Sequence, residues 1–225
     1  MGLAPKYESE HALIIPGFHG SIPDCSNRIR LHGSSMSVSL RNLILHPGTF
    51  FAKITFEKKN FIIPIVFVLL NGIFGVLDFF LFAMNYRFDF SNLRYAPQAV
   101  LGQMAYPFLL WAAVTLVIFT IARAFSGSGS FASTFQNIGF GMFPPAIAAA
   151  VRLLFSVLFH ANAVDMIPYA ILLVLLWVCS IWSWYLWFCA ARHTHHISWG
   201  KSAIAITVVV LLQYGVQYLV YMTSS

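Results

Sequence analysis

Three histidines stand close together in the segment RHTHHISWGK: His193, His195 and His196. Histidine is the commonest metal ligand, and its charge changes near neutral pH. Two of the three are adjacent, however, and the segment has no cysteine or carboxylate that would complete a zinc site. We therefore predict that these histidines contact lipid headgroups or neighbouring loops, and we expect no metal and no cofactor. A membrane metalloenzyme built on them is kept as an alternative.

A second unusual stretch is RAFSGSGSFASTFQNIGFGMFPP, residues 123–145. A phosphate-binding loop of the Walker type needs a lysine after its glycines, and none follows Gly127 and Gly129. The Gly/Ser run is instead typical of a flexible link. Ser130 is a suitable helix N-cap, and Phe131 and Phe135 then recur on one helical face.

The same stretch ends on Gly139, Gly141, Pro144 and Pro145. Proline lacks a backbone donor and clashes with the preceding turn, so the pair predicts a kink or break in a helix. Carbonyls freed by the break would need neighbours or water. A broken helix can mark a transport site, but a packing kink is the interpretation that we favour.

Asp78 and Arg152 lie inside long apolar runs, where ionisable residues are costly and often functional. An ion pair across the bundle is the structural interpretation, and a proton or ion relay is the functional one. The polar residues Asn71, Gln213 and Gln217 could add hydrogen bonds between helices. Ser156 and Ser180 have no catalytic triad around them, so we predict that the chain is not an enzyme.

The composition indicates what solvent the chain needs. Of its 225 residues, 59% are hydrophobic and 9% are charged, whereas soluble domains carry about 25% charged residues. Five apolar runs are long enough to cross a bilayer, near 61–84, 103–124, within 137–159, 167–190 and 202–222. The prediction is an all-α, polytopic membrane bundle over residues 38–225, preceded by a disordered segment 1–37. The pattern begins just after Met36, which is therefore a candidate for the true start.

Basic residues predict the orientation of the bundle. One set of loops carries Arg41, Lys53, Lys58, Lys59, Arg123, Arg192 and Lys201, whereas HANAVDM, after the third span, has no lysine or arginine. The positive-inside rule then predicts a cytoplasmic N-terminus and an outside C-terminus. The net charge of +6 is accordingly assigned to contact with anionic headgroups and not to nucleic acid.

Before the first span, Pro47 divides a segment in which aromatic and basic residues alternate, SLRNLILHPGTFFAKITFEKKN. Two short amphipathic helices lying on the cytoplasmic membrane surface would explain this pattern. The alternative is that they pack on the protein's own helices.

Three segments in order resemble the Yip domain family (Ypt-interacting-protein type). NLILHPGTFFAKITFEKKNFIIPIVFVLLNGIFG is similar to its "N-P-x-x-F-F" opening, and RAFSGSGSFASTFQNIGFGMFPPAI resembles its "G-G-x-G-S-F" loop and "GY-x-x-x-P" kink. LWFCAARHTHHISWGKSAIAI resembles its last loop. The resemblance covers residues 40–222 and implies five spans and a cytoplasmic N-terminus.

The resemblance implies no catalytic residue; the loop glycines and the proline kink carry over as structural features. Eukaryotic members act in vesicle trafficking and contact prenylated GTPases, but this chain lacks their long acidic N-terminal region. It is more similar to prokaryotic members, which implies the cell membrane of a prokaryote. We therefore predict a scaffold that organises membrane or recruits partners and associates with itself or other membrane proteins. The alternative is a small-solute or ion transporter that uses the broken third helix, Asp78 and Arg152.

Overall fold

The structure is a computed structural model that describes residues 40–54, 57–85, 96–158 and 166–224. These residues belong to one compact unit, Val38–Ser225. The disorder predicted for residues 1–37, and the candidate start at Met36, lie outside the described residues.

The described part of the chain is helical and contains no strand. Two short helices come first, followed by a 3₁₀ turn at Lys58–Phe61. The helices are α1 (Leu40–Leu45), α2 (Pro47–Lys53), α3 (Ile62–Asn85), α4 (Ala96–Ala124), α5 (Phe131–Phe140), α6 (Phe143–Leu158), α7 (Met166–His195) and α8 (Trp199–Ser224). The predicted all-α fold class is confirmed.

Five segments are long and apolar enough to cross a membrane: Ile62–Leu81, Pro97–Ala124, Phe131–Leu158, Tyr169–His195 and Trp199–Leu219. They correspond in order to the five predicted spans. The second begins earlier than the predicted residue 103, and the fourth ends later than the predicted residue 190. The chain is therefore a multi-pass α-helical membrane protein.

The third span consists of two helices. Helix α5 ends at Phe140, Gly141 and Met142 form a turn, and α6 starts at Phe143. Pro144 and Pro145 therefore lie in the first turn of α6, where a missing backbone N–H costs nothing because that donor has no partner within the helix. The break predicted at these prolines is present.

Helix α3 packs against α4 and α6, and α7 packs against α5, α6 and α8. The centre of the bundle is filled by large side chains, of which Trp111 and Trp187 are each 2% exposed. Phe140 and Met142, beside the helix break, are fully buried in the same cluster.

Helices α1 and α2 show two different environments. Pro47 starts α2 as its first residue, and Phe50 and Phe51 are buried. The Phe50 ring meets that of Phe140 edge-on with 5.2 Å between centroids, and α2 packs on α7. Packing on the protein's own helices, the alternative interpretation, therefore describes α2. On α1, by contrast, Leu40, Ile44 and Leu45 are exposed, as expected for a helix at the membrane surface.

Candidate functional site

The loop between α4 and α5, which contains Gly127 and Gly129, packs against the end of α7. Gly127 and Gly129 are buried, and the Ser128 N–H donates to the His195 carbonyl at 3.2 Å. A Cβ on Gly129 would lie 2.5 Å from the Thr194 carbonyl oxygen, and one on Gly127 would lie 2.9 Å from the His195 Cβ. These two positions are glycine because the loop must approach α7 closely. The two glycines are thus explained by the packing of this loop against α7.

His195 is the centre of the polar contacts beneath this loop. The Thr134 hydroxyl donates its one proton to the Ser130 carbonyl at 2.7 Å. The His195 Nε2–H is therefore the donor in the 2.9 Å contact with Thr134 Oγ1. His195 is 1% exposed, and its Nδ1 has no hydrogen-bond partner among the described residues. Sequence reasoning identified His195 but not Thr134. The available signal was that Thr134 lies one helical turn after the N-cap Ser130.

Two amides of α5 complete the buried polar cluster. The Asn137 Nδ2 donates to Thr194 Oγ1 at 2.9 Å, which ties α5 to α7 a second time. Gln136 is fully buried, and within the described ranges neither of its amide atoms has a partner. Such burial of an amide costs free energy. The cluster therefore positions α5 and α7 relative to each other and offers no exposed nucleophile.

The three histidines have separate neighbours. His193 is half-buried and lies beside α2, where a Cβ on Gly48 would be 3.9 Å from its Nε2. His196 is exposed and adopts a positive φ of 54° in the turn after α7. In the part of the chain that the structure describes, no three His, Cys, Asp or Glu side chains are grouped as a metal ion would require.

The helix break is held by hydrogen bonds from three neighbouring side chains. The Trp111 Nε1–H donates to the Phe135 carbonyl at 2.8 Å, and the Trp187 Nε1–H donates to the Ile138 carbonyl at 3.2 Å. The Ser183 hydroxyl donates to the Gly141 carbonyl at 2.6 Å. The expected need of the freed carbonyls is thus met for Gly141 by another helix.

The glycines on either side of the break are in contact with the same two tryptophans. A Cβ on Gly139 would lie 2.7 Å from the Trp111 ring, and one on Gly141 would overlap the Trp187 indole. Sequence reasoning identified the glycines and prolines but missed Trp111, Trp187 and Ser183. The available signal was that a tryptophan buried in a membrane span needs a partner for its N–H.

Asp78 and Arg152 form an ion pair between α3 and α6. The Arg152 Nε lies 2.8 Å from Asp78 Oδ2. The Ser156 hydroxyl, one turn further along α6, donates to Asp78 Oδ1 at 2.6 Å. Both carboxylate oxygens are therefore occupied, which matches the structural interpretation of these residues. Arg152 keeps 44% of its side chain exposed.

The opposite end of the bundle carries most of the described cations, and we call it the basic end. It is formed by α1, α2, the loop after α4 and the segment joining α7 to α8. Its described cationic side chains are Arg41, Lys53, Arg123, Arg192 and Lys201. Lys58 and Lys59 start the 3₁₀ turn nearby, and their side chains lie outside the described residues.

Aromatic rings hold several of these cations at the surface. The Arg192 guanidinium lies 4.9 Å from the centroid of Trp199, and the Lys201 ammonium lies 5.6 Å from that of Phe125. Trp199 itself is 60% exposed. Cationic and indole side chains together are typical of the membrane–water interface. The arrangement suits contact with headgroups.

The fold and these contacts define a class: a multi-pass helical membrane protein with a basic end and a broken third span. A Yip1 domain model matches residues 41–222, which is most of the chain, so the chain belongs to the Yip1 domain family. The predicted resemblance is confirmed. No curated protein and no solved structure matches the chain.

Proposed function

We propose that this Yip1 family protein is a non-enzymatic scaffold that organises the membrane around its basic end and recruits further copies of itself. One observation carries the first part: cations from α1, α2, α4, α7 and α8 converge on one end of the bundle. That end also exposes Leu40, Ile44 and Leu45 of α1. A surface that combines cations with apolar side chains binds anionic headgroups and the outermost acyl carbons together.

The orientation follows from the same charges. Within the described ranges, the acidic residues are Glu57 and Asp78, and Asp78 lies far from the basic end on α3. The anionic leaflet of a cell membrane is the cytoplasmic one. We therefore assign the basic end to the cytoplasm, with the N-terminus inside, the C-terminus outside, and the cell membrane of a prokaryote as the location.

Lipid selectivity measured with spin-labelled lipids tests the headgroup contact. Reconstituted protein should immobilise phosphatidylglycerol in preference to phosphatidylcholine. Because each interfacial cation contributes about 1 kcal/mol, the triple variant Arg41→Gln, Lys53→Gln, Lys201→Gln removes about 3 kcal/mol of attraction and should lose most of that preference. The matched control Arg41→Lys, Lys53→Arg, Lys201→Arg keeps the charges and should keep the preference. An unchanged preference in the neutral variant would contradict the proposal.

Self-association is assigned to the outward face of α8. The two spans on α7 and α8 are each 17% buried over their most apolar window, against 28% for the other three. Gly215 lies on α8 among exposed residues, and a Cβ there would meet nothing within 4 Å. Small residues let transmembrane helices approach closely, so a second copy fits at this position.

Energy transfer between labelled copies in liposomes tests the α8 contact. Gly215→Trp adds bulk that the monomer accommodates, so it should lower energy transfer without lowering the unfolding midpoint. Gly102→Trp is the matched control on α4, because a Cβ at that exposed glycine also meets nothing within 4 Å. Equal energy transfer in both variants would remove α8 as the interface.

A further inference from the structure

A cavity with both polar and apolar lining residues opens inside the membrane part of the bundle, between α3, α4, α6, α7 and α8. Its volume is about 220 Å³, which is room for several ordered waters or for a polar group of comparable size. Among its lining residues are Asn71, Tyr106, Arg152, Ser180 and Gln213. Each of these five residues lies on a different helix, so all five helices contribute to the polar part of the lining.

Several polar groups of the lining keep unused hydrogen-bonding capacity. The Gln213 Oε1 is buried and has no partner in the described part of the chain. The Ser180 and Ser183 hydroxyls donate their protons to the carbonyls of Leu176 and Gly141, so both oxygens can still accept. An apolar ligand would leave the buried Gln213 oxygen unsatisfied, at a cost in free energy. The lining therefore favours a ligand that has polar groups of its own.

Arg152 gives the cavity a cation with free donors. Asp78 engages its Nε, and the two terminal Nη groups make no hydrogen bond to described residues. The Asp78 contact holds the guanidinium plane in place while those Nη groups remain available. Paired N–H donors of this kind match two oxygens of a phosphate.

The depth of Arg152 indicates where the ligand comes from. Asp78 follows Ile62, the first residue of α3, by sixteen positions, which is about 24 Å along a helix. Since the hydrocarbon core is about 30 Å thick, the ion pair lies about 6 Å from the boundary opposite the basic end. An arginine at that depth reaches headgroup phosphates.

We propose that this cavity binds the phosphate-bearing headgroup of a phospholipid from the leaflet opposite the basic end. Arg152 holds the phosphate through its Nη groups, and the serine and amide side chains hold the hydroxyl or amino group beyond it. The half-exposed Tyr106, together with Leu110, contacts the first acyl carbons. This site is independent of the scaffold role and of the direction in which the protein spans the membrane.

The proposal predicts that substitutions of Asp78 and of Arg152 change the affinity for the phospholipid in opposite directions. Its carboxylate offsets the charge of Arg152, so removing that charge while keeping a hydrogen-bonding group should tighten phosphate binding. Asp78→Asn is therefore expected to bind the phospholipid more strongly than wild type, and Arg152→Gln more weakly. If the two residues had a purely structural role, both substitutions would weaken binding or leave it unchanged.

Native mass spectrometry of the full chain in detergent measures this directly, with phosphatidylglycerol, diacylglycerol and glycerol phosphate as three separate probes. Phosphatidylglycerol should bind best, since diacylglycerol lacks the phosphate and glycerol phosphate lacks the chains. Arg152→Gln should weaken phosphatidylglycerol binding about tenfold or more, because it removes a charge-assisted hydrogen bond. Thr120→Val is the control: its hydroxyl bonds within α4, it does not line the cavity, and its loss should leave this site unchanged.

Gln213→Leu keeps the proposal testable if Arg152→Gln does not fold, and it should also weaken binding because it removes an amide from the lining. Equal binding of diacylglycerol would overturn the role of the phosphate. Competition by glycerol phosphate as strong as by phosphatidylglycerol would show a site for soluble phosphate esters and overturn the assignment to lipid. Wild-type affinity in both Arg152→Gln and Gln213→Leu would place the lipid elsewhere on the protein.

Discussion

Gly141→Ala is the substitution that tests the packing of the helix break most sharply. The added Cβ would overlap the indole of Trp187, which is 2% exposed and cannot move into solvent. That indole also donates to the Ile138 carbonyl at 3.2 Å. Moving the ring to admit one methyl group therefore disturbs both the core and a buried hydrogen bond.

The magnitude follows from three contributions. Overpacking of a core costs about 1–3 kcal/mol, and leaving the buried Trp187 Nε1–H without its acceptor costs about 1–3 kcal/mol. Gly141 has a φ of −71°, which alanine adopts without strain, so the lower entropy of the unfolded chain returns about 0.4–1 kcal/mol. Because the two costs arise from one movement and partly overlap, we expect a net loss of about 2–4 kcal/mol.

Unfolding by SDS from mixed micelles, followed by near-ultraviolet circular dichroism, measures this loss. Gly102→Ala is the matched control, since its Cβ meets nothing within 4 Å and the residue lies inside α4. Alanine should stabilise that helix by up to about 1 kcal/mol. The two substitutions should thus change stability in opposite directions. A Gly141→Ala protein as stable as wild type would refute the close contact with Trp187.

Three further substitutions test the neighbouring contacts. Ser183→Ala removes the donor to the Gly141 carbonyl and should cost about 1–3 kcal/mol of stability in the same SDS titration. Ser180→Ala should cost less, because its hydroxyl bonds within α7. A larger loss in Ser180→Ala than in Ser183→Ala would contradict the role of Ser183 at the helix break. Trp111→Phe keeps an aromatic ring but loses the Nε1–H donor to Phe135, and should cost about 1–3 kcal/mol; no loss would mean that the bond contributes nothing. Gly129→Ala should destabilise the contact with His195 by about 1–3 kcal/mol. Gly200→Ala should leave that contact unchanged, because a Cβ at Gly200 meets nothing within 4 Å. The protection of the Thr134 amide from hydrogen exchange measures the difference between the two variants.

The spans could be predicted from the sequence because a bilayer imposes a length and an apolar composition on each of them. The ends were less certain, since α4 and α7 both extend beyond the apolar runs. Helix α7 continues to His195 because its last turn, with Thr194 and His195, is held by Asn137 and Thr134. Those bonds join residues that are far apart in the chain, so no local pattern predicts them.

The glycine pattern indicated a break and a loop, but not what the glycines contact. Gly127 and Gly129 fit beneath His195, and Gly139 and Gly141 fit against Trp111 and Trp187. Each partner lies on a helix, α4 or α7, that is separated in sequence from the glycines it contacts, so its identity depends on how the spans pack. The ion pair, in contrast, could be predicted because the spans contain few ionisable residues that could be partners. Asp78 and Arg152 were expected to pair because each is an ionisable residue inside a span. Their 2.8 Å contact has that physical basis.

The orientation of the bundle in a cell membrane tests the central claim most directly. Lys201 and Met222 are exposed residues near opposite ends of α8, and twenty-one residues of helix span about 32 Å. Single-cysteine proteins carry Lys201→Cys or Met222→Cys, with Cys25, Cys179 and Cys189 replaced by alanine. A membrane-impermeant maleimide applied to intact cells should label position 222 and should label position 201 only after permeabilisation. Labelling of position 201 in intact cells would place the basic end outside and contradict the account.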